Sequence, residues 1–384
     1  MTSLIAVALS VLAAIPWSTD VDFFARELPK RHVNAFHAMS RDDFDRAIAE
    51  LRAKSAKAND DQMLVGFMQI AARIGDGHTH VHLPKSAHRL PVAIALFESE
   101  YRIVAAADDA KVLLGGKLVK IDDVDVAEAV RRLRSVIAQD ESEPFVRGAL
   151  PSYLVVTDVL HGLGIVSDPL HVRLTLEGGQ TVTVNAVPVS AKPSEWANAA
   201  KSTPLSRQNP QDALFFAWIE PQKTVYVNWR RYDDLGGRAR ELWKFVDAHP
   251  TAKVVIDLRQ NGGGDYKVGR RFMVNELKAR PAIKPYVLIG NRTFSAAMNN
   301  AIDFRNDAKA TLVGQPIGEK PNSYQENDEM TLPASKLVVS YSTKFYKFLP
   351  DGAPPIVSPD VTIEPTWADY VDGRDAALEW TLAH

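Results

Sequence analysis

The chain contains no cysteine among its 384 residues. Disulfide bonds, thiol nucleophiles and thiolate metal ligands are therefore excluded. The chain also lacks a strong excess of either charge, because its formal net charge is −2. This balance gives no electrostatic reason to expect binding to nucleic acid or to an anionic membrane. The hydrophobic content of 46% and the charged content of 24% are typical of a soluble globular protein, and the length predicts two or three domains.

Apolar runs long enough to cross a bilayer are missing as well. The apolar run at residues 4–14 is too short for a membrane span, and it resembles the central part of a secretory signal. The three residues before it carry no basic side chain, so an ordinary first helix is the alternative. We expect residues 1–19 to be a signal peptide, and the protein to be periplasmic or secreted without stable membrane insertion.

Several catalytic and nucleotide-binding motifs are absent too. The chain has no G-x-S-x-G, which argues against the nucleophile elbow of an α/β-hydrolase. Its glycine-rich segment matches neither G-x-G-x-x-G nor G-x-x-x-x-G-K-[ST], so nucleotide binding is not favoured. It also lacks the H-E-x-x-H pattern of zinc proteases. We therefore expect no cofactor.

The pattern of hydrophobic residues changes along the chain. Residues 20–85 show helical periodicity and predict an N-terminal helical region. Residues 86–190 predict a β-rich domain with one helix and a hairpin around Gly178 and Gly179. Residues 191–212 contain three prolines and are typical of a linker. From residue 213 to 384, strands and helices alternate, which predicts an α/β layer with parallel strands.

The most informative run is residues 254–265, Val-Val-Ile-Asp-Leu-Arg-Gln-Asn-Gly-Gly-Gly-Asp. Its β-branched start predicts a buried strand, and apolar residues at helical spacing follow the glycines. A strand that ends in glycines and opens a helix presents bare backbone N–H groups, which favour negative charge. That charge is either a phosphate or the oxyanion of an acyl-transfer reaction.

A second junction follows the next predicted strand, where Ser295 begins a helix of small residues. Catalytic groups favour the carboxyl end of a parallel strand. Ser295 is therefore a candidate nucleophile, with the N–H of Ala296 directed at the same atom. The alternative is an ordinary N-cap serine.

A serine nucleophile needs a base, and residues 74–83 contain His78, His80 and His82. On a strand these three side chains would share one face, which predicts a zinc site. The alternative is that His78 alone acts as a general base, held by the tight turn that precedes it.

Several segments together resemble the carboxy-terminal processing, or tail-specific, serine proteases. Residues 257–264 resemble the D-L-R-x-N-x-G-G signature, and residues 293–297 resemble the T-x-S-A segment that contains the nucleophile. Further similarities lie at residues 313–318 (V-G-E-x-T-x-G), 358–361 (P-D-x-x-V) and 114–122 (a PDZ-like insert). Residues 76–79 resemble the D-x-H segment of the tricorn-like branch, in which the histidine is the base.

The resemblance implies an α/β fold with a crotonase-like (ClpP-like) core, an N-terminal helical bundle and a β-rich PDZ-like insert. It also implies a serine-type endopeptidase that acts on peptides or unfolded proteins without a metal. Ser295 would attack the peptide carbonyl and His78 would take its proton. The N–H groups of Gly263 and Ala296 would form the oxyanion hole.

The resemblance leaves several assignments open. Many family members pair the serine with a lysine, and Lys320 lies near that position, although a proline follows it. Glu319, Glu326 and Asp351 are all candidates for the third catalytic residue. Two other functions stay open: a non-catalytic module of the same fold that binds an apolar ligand, and a metal hydrolase built on the three histidines. The oligomeric state is not predicted.

Overall fold

The computed structural model describes residues 15–191 and 195–384. Most of the predicted signal peptide, residues 1–19, therefore lies outside the described residues. Within the described ranges, no helix combines the length and the apolar character that a bilayer span requires.

The described chain opens with helices α1 (Trp17–Arg31), α2 (Arg41–Lys54) and α3 (Asp60–Ile74). Ser40 caps α2 by accepting a hydrogen bond from the N–H of Asp43 at 3.1 Å, as its sequence context predicts. The apolar faces of the three helices meet in one core, and α3 ends at Gly75 with a φ of +116°. Only glycine adopts such a backbone without strain, and the chain turns there into the segment that contains His78.

The middle of the chain consists of short strands and helices. In chain order they are β1 (His80–Val81), β2 (His88–Arg89), β3 (Val92–Phe97), β4 (Glu100–Ala107), β5 (Leu118–Ile121), β6 (Val124–Asp125), α4 (Val126–Leu133), α5 (Glu143–Tyr153), α6 (Thr157–Gly162), β7 (His171–Leu176), β8 (Thr181–Asn185), β9 (Val187–Pro188) and β10 (Trp196–Asn198). The predicted hairpin is present as β7 and β8, in a sheet of order β6-β5-β7-β8. Strand β10 lies within the predicted linker and pairs with β4.

The last part of the chain is an α/β layer, as its alternating pattern predicts. Its elements are β11 (Leu214–Ile219), β12 (Thr224–Trp229), α7 (Leu235–Ala248), β13 (Lys253–Asp257), α8 (Tyr266–Gly269), α9 (Asn275–Lys278), β14 (Lys284–Ile289), α10 (Ala296–Asp307), β15 (Thr311–Gly314), β16 (Asn322–Thr331), β17 (Val338–Lys347), β18 (Val361–Thr362), α11 (Trp367–Asp372) and α12 (Ala376–Ala383). A π-helical segment joins α8 to α9. The main sheet has the order β11-β12-β13-β14-β15-β18, and strands β12 to β15 are parallel.

A long hairpin of β16 and β17 leaves this layer and joins the N-terminal part of the chain. Strand β1 pairs with β17, with His80 opposite Ser340. Apolar residues of the hairpin, among them Val339 and Tyr341, belong to the same core as the N-terminal helices. This hairpin has no counterpart in the sequence-based prediction. Its pairing with β1 places the histidine segment next to the main sheet.

Asp257, the last residue of β13, and Arg259 form a charged pair that holds helix α12. Arg259 donates to both carboxylate oxygens of Asp257, and its two terminal nitrogens donate to Asp375 at 2.9 and 2.7 Å. Asp375 also caps α12 by accepting from the N–H of Leu378. Although burial opposes it, Arg259 lowers the pKa of Asp375. In the D-L-R segment, Asp257 and Arg259 therefore connect β13 to α12.

Removing Arg259 tests this connection. We expect Arg259→Ala to lower the free energy of unfolding by about 3–5 kcal/mol, because two buried carboxylates lose their partner. Arg374→Ala is the control, since its ion pairs with Asp369 and Glu379 lie at the surface, and we expect a change below about 1 kcal/mol. Chemical denaturation measures both, and equal effects would contradict the assignment.

Candidate active site

The glycine turn (residues 261–264) and the serine turn (residues 290–295) lie side by side because β13 and β14 are parallel neighbours. Asn261, fully buried, holds them in place. Its carbonyl accepts from the N–H of Phe294 at 3.0 Å, and its side-chain amide donates to the carbonyl of Trp229 at 2.9 Å. The two turns thus converge at the carboxyl edge of the sheet, where the sequence predicts a catalytic site.

Ser295 has an unusual backbone conformation at the start of α10. Its φ is +53° and its ψ is −129°, a region that costs a non-glycine residue about 1–3 kcal/mol and is enriched at active sites. An ordinary N-cap serine would accept a hydrogen bond from the first turn of the helix. The Ser295 side chain makes no such bond, so the N-cap alternative does not describe it.

His78 lies beside Ser295. Its Nε2 is 3.1 Å from Ser295 Oγ, although 217 positions separate the two residues in the chain. The His78 ring also stacks on Phe294, with ring centroids 4.6 Å apart. For Nε2 to accept the serine proton, the imidazole must have its own proton on Nδ1. The structure therefore brings the predicted nucleophile and base within hydrogen-bonding distance.

A buried network holds the turn that precedes His78. Asp76 accepts from His32 Nε2 at 3.0 Å and from the hydroxyl of Ser342 at 2.5 Å. His32 Nδ1 accepts from the N–H of Asn34, so its proton lies on Nε2 and points at Asp76. Although burial opposes it, these hydrogen bonds lower the pKa of Asp76. The ionised carboxylate of Asp76 thus connects α1, the histidine segment and β17.

Among the three carboxylates proposed as a third residue, only Glu319 lies at the site. Its Oε1 is 3.6 Å from His78 Nδ1, and its Oε2 accepts from the N–H of Ser295. Glu326 pairs with Lys344, and Asp351 pairs with Lys347. The ammonium of Lys320 is 2.9 Å from Asp140 and partly exposed. Lys320 therefore has a surface partner and does not occupy the position of a base.

Burial determines the protonation states at the site. It lowers the pKa of His78 to about 4, so the imidazole is neutral at neutral pH and able to accept a proton. Burial and the neighbouring Glu141 raise the pKa of Glu319 well above its usual value. The distance of 3.6 Å leaves His78 Nδ1 without a hydrogen-bond partner among the described residues. A shift of a few tenths of an ångström would bring Glu319 into contact as the imidazole gains charge.

The two predicted oxyanion donors differ in their hydrogen bonds. The N–H of Ala296 has no partner among the described residues. The N–H of Gly263 donates to the side chain of its own turn, Asn261 Oδ1, at 2.9 Å. Gly263 nevertheless lies against Ser295, because a Cβ there would be 2.6 Å from the Cβ of Ser295. Nothing in the sequence pattern indicated this internal hydrogen bond.

The other histidines of the segment point elsewhere. His82 Nε2 is 2.7 Å from the hydroxyl of Ser340, and the ring of His80 packs against that of His82. Across residues 15–191 and 195–384, no three His, Asp or Glu side chains are grouped in a way that could hold a metal ion. The geometry therefore does not support the metal-hydrolase alternative.

Two cavities flank the serine turn. One, of about 460 Å³, is largely apolar; its lining includes Val81, Leu83, Phe145, Tyr153 and Phe294. The other, of about 470 Å³, lies at the carboxyl ends of the parallel strands, and several arginines line it. The apolar cavity is lined by Phe294, the residue that precedes Ser295.

No protein-family model matches the chain, and no curated protein sequence matches it. Among solved structures, mature CPAF aligns over 96% of this chain and 95% of its own, with a TM-score of 0.64 and 12% identity. Mature CPAF complexed with lactacystin aligns over 95% and 97%, with a TM-score of 0.65 and 11% identity. The photosystem II D1 C-terminal processing protease aligns over 95% and 99%, with a TM-score of 0.44 and 14% identity. The similarity to CPAF confirms the predicted resemblance at the level of the fold.

The close contact at Gly263 leads to a prediction with a matched control. In Gly263→Ala the new methyl would strike Ser295 Cβ, and the φ of +100° would be strained. We expect a loss of peptidase activity of at least about 100-fold, since small displacements of reacting groups have effects of this size. Gly262→Ala should keep activity, because no atom beyond the adjacent residues lies within 4 Å of the new methyl. Equal activities in a peptide-cleavage assay would show that the turn does not position Ser295.

The low pKa of His78 predicts the pH profile. A pKa of about 4 keeps His78 neutral down to that pH, so the loss of kcat/KM that protonation of His78 causes should lie at about pH 4–5, and not near the ordinary value of about 6.5. His78→Gln should lower activity by about 10²–10⁴-fold and remove this limb. His82→Gln, which alters a partly exposed histidine of the same segment, should preserve it. An acid limb near pH 4–5 that survives in His78→Gln would rule out His78 as the base.

Proposed function

We propose that the protein is a serine-type endopeptidase with Ser295 as nucleophile and His78 as base. The observation on which this rests is the 3.1 Å contact between Ser295 Oγ and His78 Nε2, made by a serine with a strained backbone at the edge of a parallel sheet. A buried neutral histidine is suited to take the hydroxyl proton. The fold shared with CPAF supports the same function.

In the proposed reaction, Ser295 Oγ attacks the peptide carbonyl while its proton passes to His78 Nε2. The carbonyl oxygen becomes an oxyanion, which the free N–H of Ala296 faces. Gly263 adds a second N–H if its bond to Asn261 opens or is shared. The imidazolium returns its proton to the leaving amine, and the acyl-enzyme forms. Water then attacks the ester, again with His78 as base, and releases the acid and the free serine.

Glu319 has a supporting role in this proposal. Its carboxyl faces His78 Nδ1 at 3.6 Å and, in its ionised form, is positioned to stabilise the imidazolium that forms as the serine loses its proton. The same carboxyl accepts from the N–H of Ser295, so it also fixes the backbone of the nucleophile. We assign Glu319 as the third residue in place of Glu326, Asp351 or the Lys320 dyad.

The proposed substrates are peptides or unfolded proteins. The apolar cavity beside Phe294 would receive an apolar side chain next to the cleaved bond. We also propose that the parallel strands β12 to β15 with their helices form a crotonase-like core. Residues 86–190, which contain the four-stranded sheet β6-β5-β7-β8 and helix α4, would form a PDZ-like insert. The signal peptide at residues 1–19 and a periplasmic or secreted location remain part of the proposal.

An active-site-directed fluorophosphonate tests the nucleophile directly. We expect it to label the wild-type protein at one site, Ser295, which peptide mass spectrometry identifies. Ser295→Ala should lose both labelling and proteolysis, while its free energy of unfolding stays within about 1 kcal/mol. Ser55→Ala, at an exposed helix end, should be labelled like the wild type. An unlabelled wild type that retains an apolar ligand after purification would favour the non-catalytic binding module.

A further inference from the structure

Residues 139–142, between α4 and α5, run past both loops that surround His78. On one side, the N–H of Gln139 donates to the carbonyl of Ala72 at 2.9 Å, and the N–H of Asp140 donates to the carbonyl of Gly75 at 3.1 Å. On the other side, the hydroxyl of Ser142 donates to the carbonyl of Gly318. This segment, which we call the bridging segment, thus contacts the histidine turn and the Glu319 loop together.

Glu141, at the centre of the bridging segment, binds one backbone N–H from each loop. Its Oε1 accepts from Gly77 and its Oε2 accepts from Lys320, both at 3.1 Å. Gly77 directly precedes His78, and Lys320 directly follows Glu319. A single carboxylate therefore fixes the residue next to His78 and the residue next to Glu319. The side chains of His78 and Glu319 face each other, with Nδ1 and Oε1 3.6 Å apart.

We propose that Glu141 is a positioning residue, whose carboxylate sets the separation between His78 and Glu319 and so the aim of His78 at Ser295. This inference rests on the proposed function for its catalytic consequence. The geometric part, one carboxylate holding two amides, stands on the contacts alone. Glu141 itself touches no reacting atom and takes no proton from the substrate.

The surroundings of Glu141 favour this role over that of an ion-pair partner. The nearby ammonium of Lys320 pairs with Asp140 at 2.9 Å, so backbone N–H groups are the hydrogen-bond partners of Glu141. An ionised carboxylate accepts two such bonds better than any neutral side chain. Burial raises the pKa of Glu141 to about 7, against the effect of the two hydrogen bonds. The charged or titratable groups that face it are Glu319, Lys320 and Asp76.

The test compares Glu141→Gln with Glu143→Gln. The side-chain amide introduced by Glu141→Gln keeps one acceptor but turns an NH₂ donor towards one of the two N–H groups, so one bond is lost. We expect kcat to fall about 10–100-fold with KM within about twofold, the pattern of a displaced catalytic group. Glu143 is two positions away, exposed, and paired with Arg134, so its variant should match the wild type in both constants.

A second readout does not depend on activity. In ¹⁵N spectra we expect the amide protons of Gly77 and Lys320 to move upfield in Glu141→Gln, and at least one of them to exchange about tenfold faster with solvent. They should stay in place in Glu143→Gln. Unchanged amides in Glu141→Gln would overturn the inference, whatever happens to kcat. An inactive wild type whose two amides respond as expected would count against the proposed function and leave the positioning of the two loops established.

If Glu141→Gln does not fold, a pH titration of the wild-type protein tests the same inference. Because one carboxylate binds both amides, the shifts of Gly77 and Lys320 should follow a common titration with a midpoint near 7. The bonds weaken as the pH falls, since the protonated carboxyl is a poorer acceptor. Two independent titrations, or none, would contradict the proposal.

Discussion

The site depends on the close packing of the glycine turn against the serine turn. Asn261 makes this packing stable, because its backbone and side chain together bind β12, the glycine turn and the serine turn. A side chain at Gly263 would not fit the space that remains beside Ser295. The strained backbone of Ser295 persists because its neighbours are fixed on both sides. The hydrogen bonds of one buried polar residue thus determine where the Ser295 hydroxyl lies.

The local part of this arrangement could be predicted from the sequence. A β-branched run, three glycines and a helical pattern define a strand, a turn and a helix within about 25 residues, and the structure confirms them in β13, the glycine turn and α8. The α/β class follows from the same alternation. Ser295 and His78 could be selected because each lies in a short pattern with few chemical interpretations. The π-helical segment between α8 and α9 has no comparable signal in the sequence.

The long-range part could not be predicted. Glu319, Glu326 and Asp351 lie on a stretch whose course is set by the pairing of β16 with β17 and of β17 with β1. The pairing of β17 with β1 joins residues more than 200 positions apart. A single sequence contains no periodic pattern from which such a distant pairing could be recognised. Glu141 was missed for a related reason, since its two partners are distant backbone groups and any residue type could supply them. Contacts to the main chain are therefore the least visible part of such a site.

The pairing of β1 with β17 has a consequence for the order of events during synthesis and folding. The histidine leaves the ribosome more than 200 residues before the serine, and β17, which holds the histidine segment in place, is made later still. A growing chain therefore contains His78 long before Ser295, and β1 has no partner strand until β17 has been made. The contact between Ser295 and His78 can thus be assembled only after β17 has been synthesised and has paired with β1.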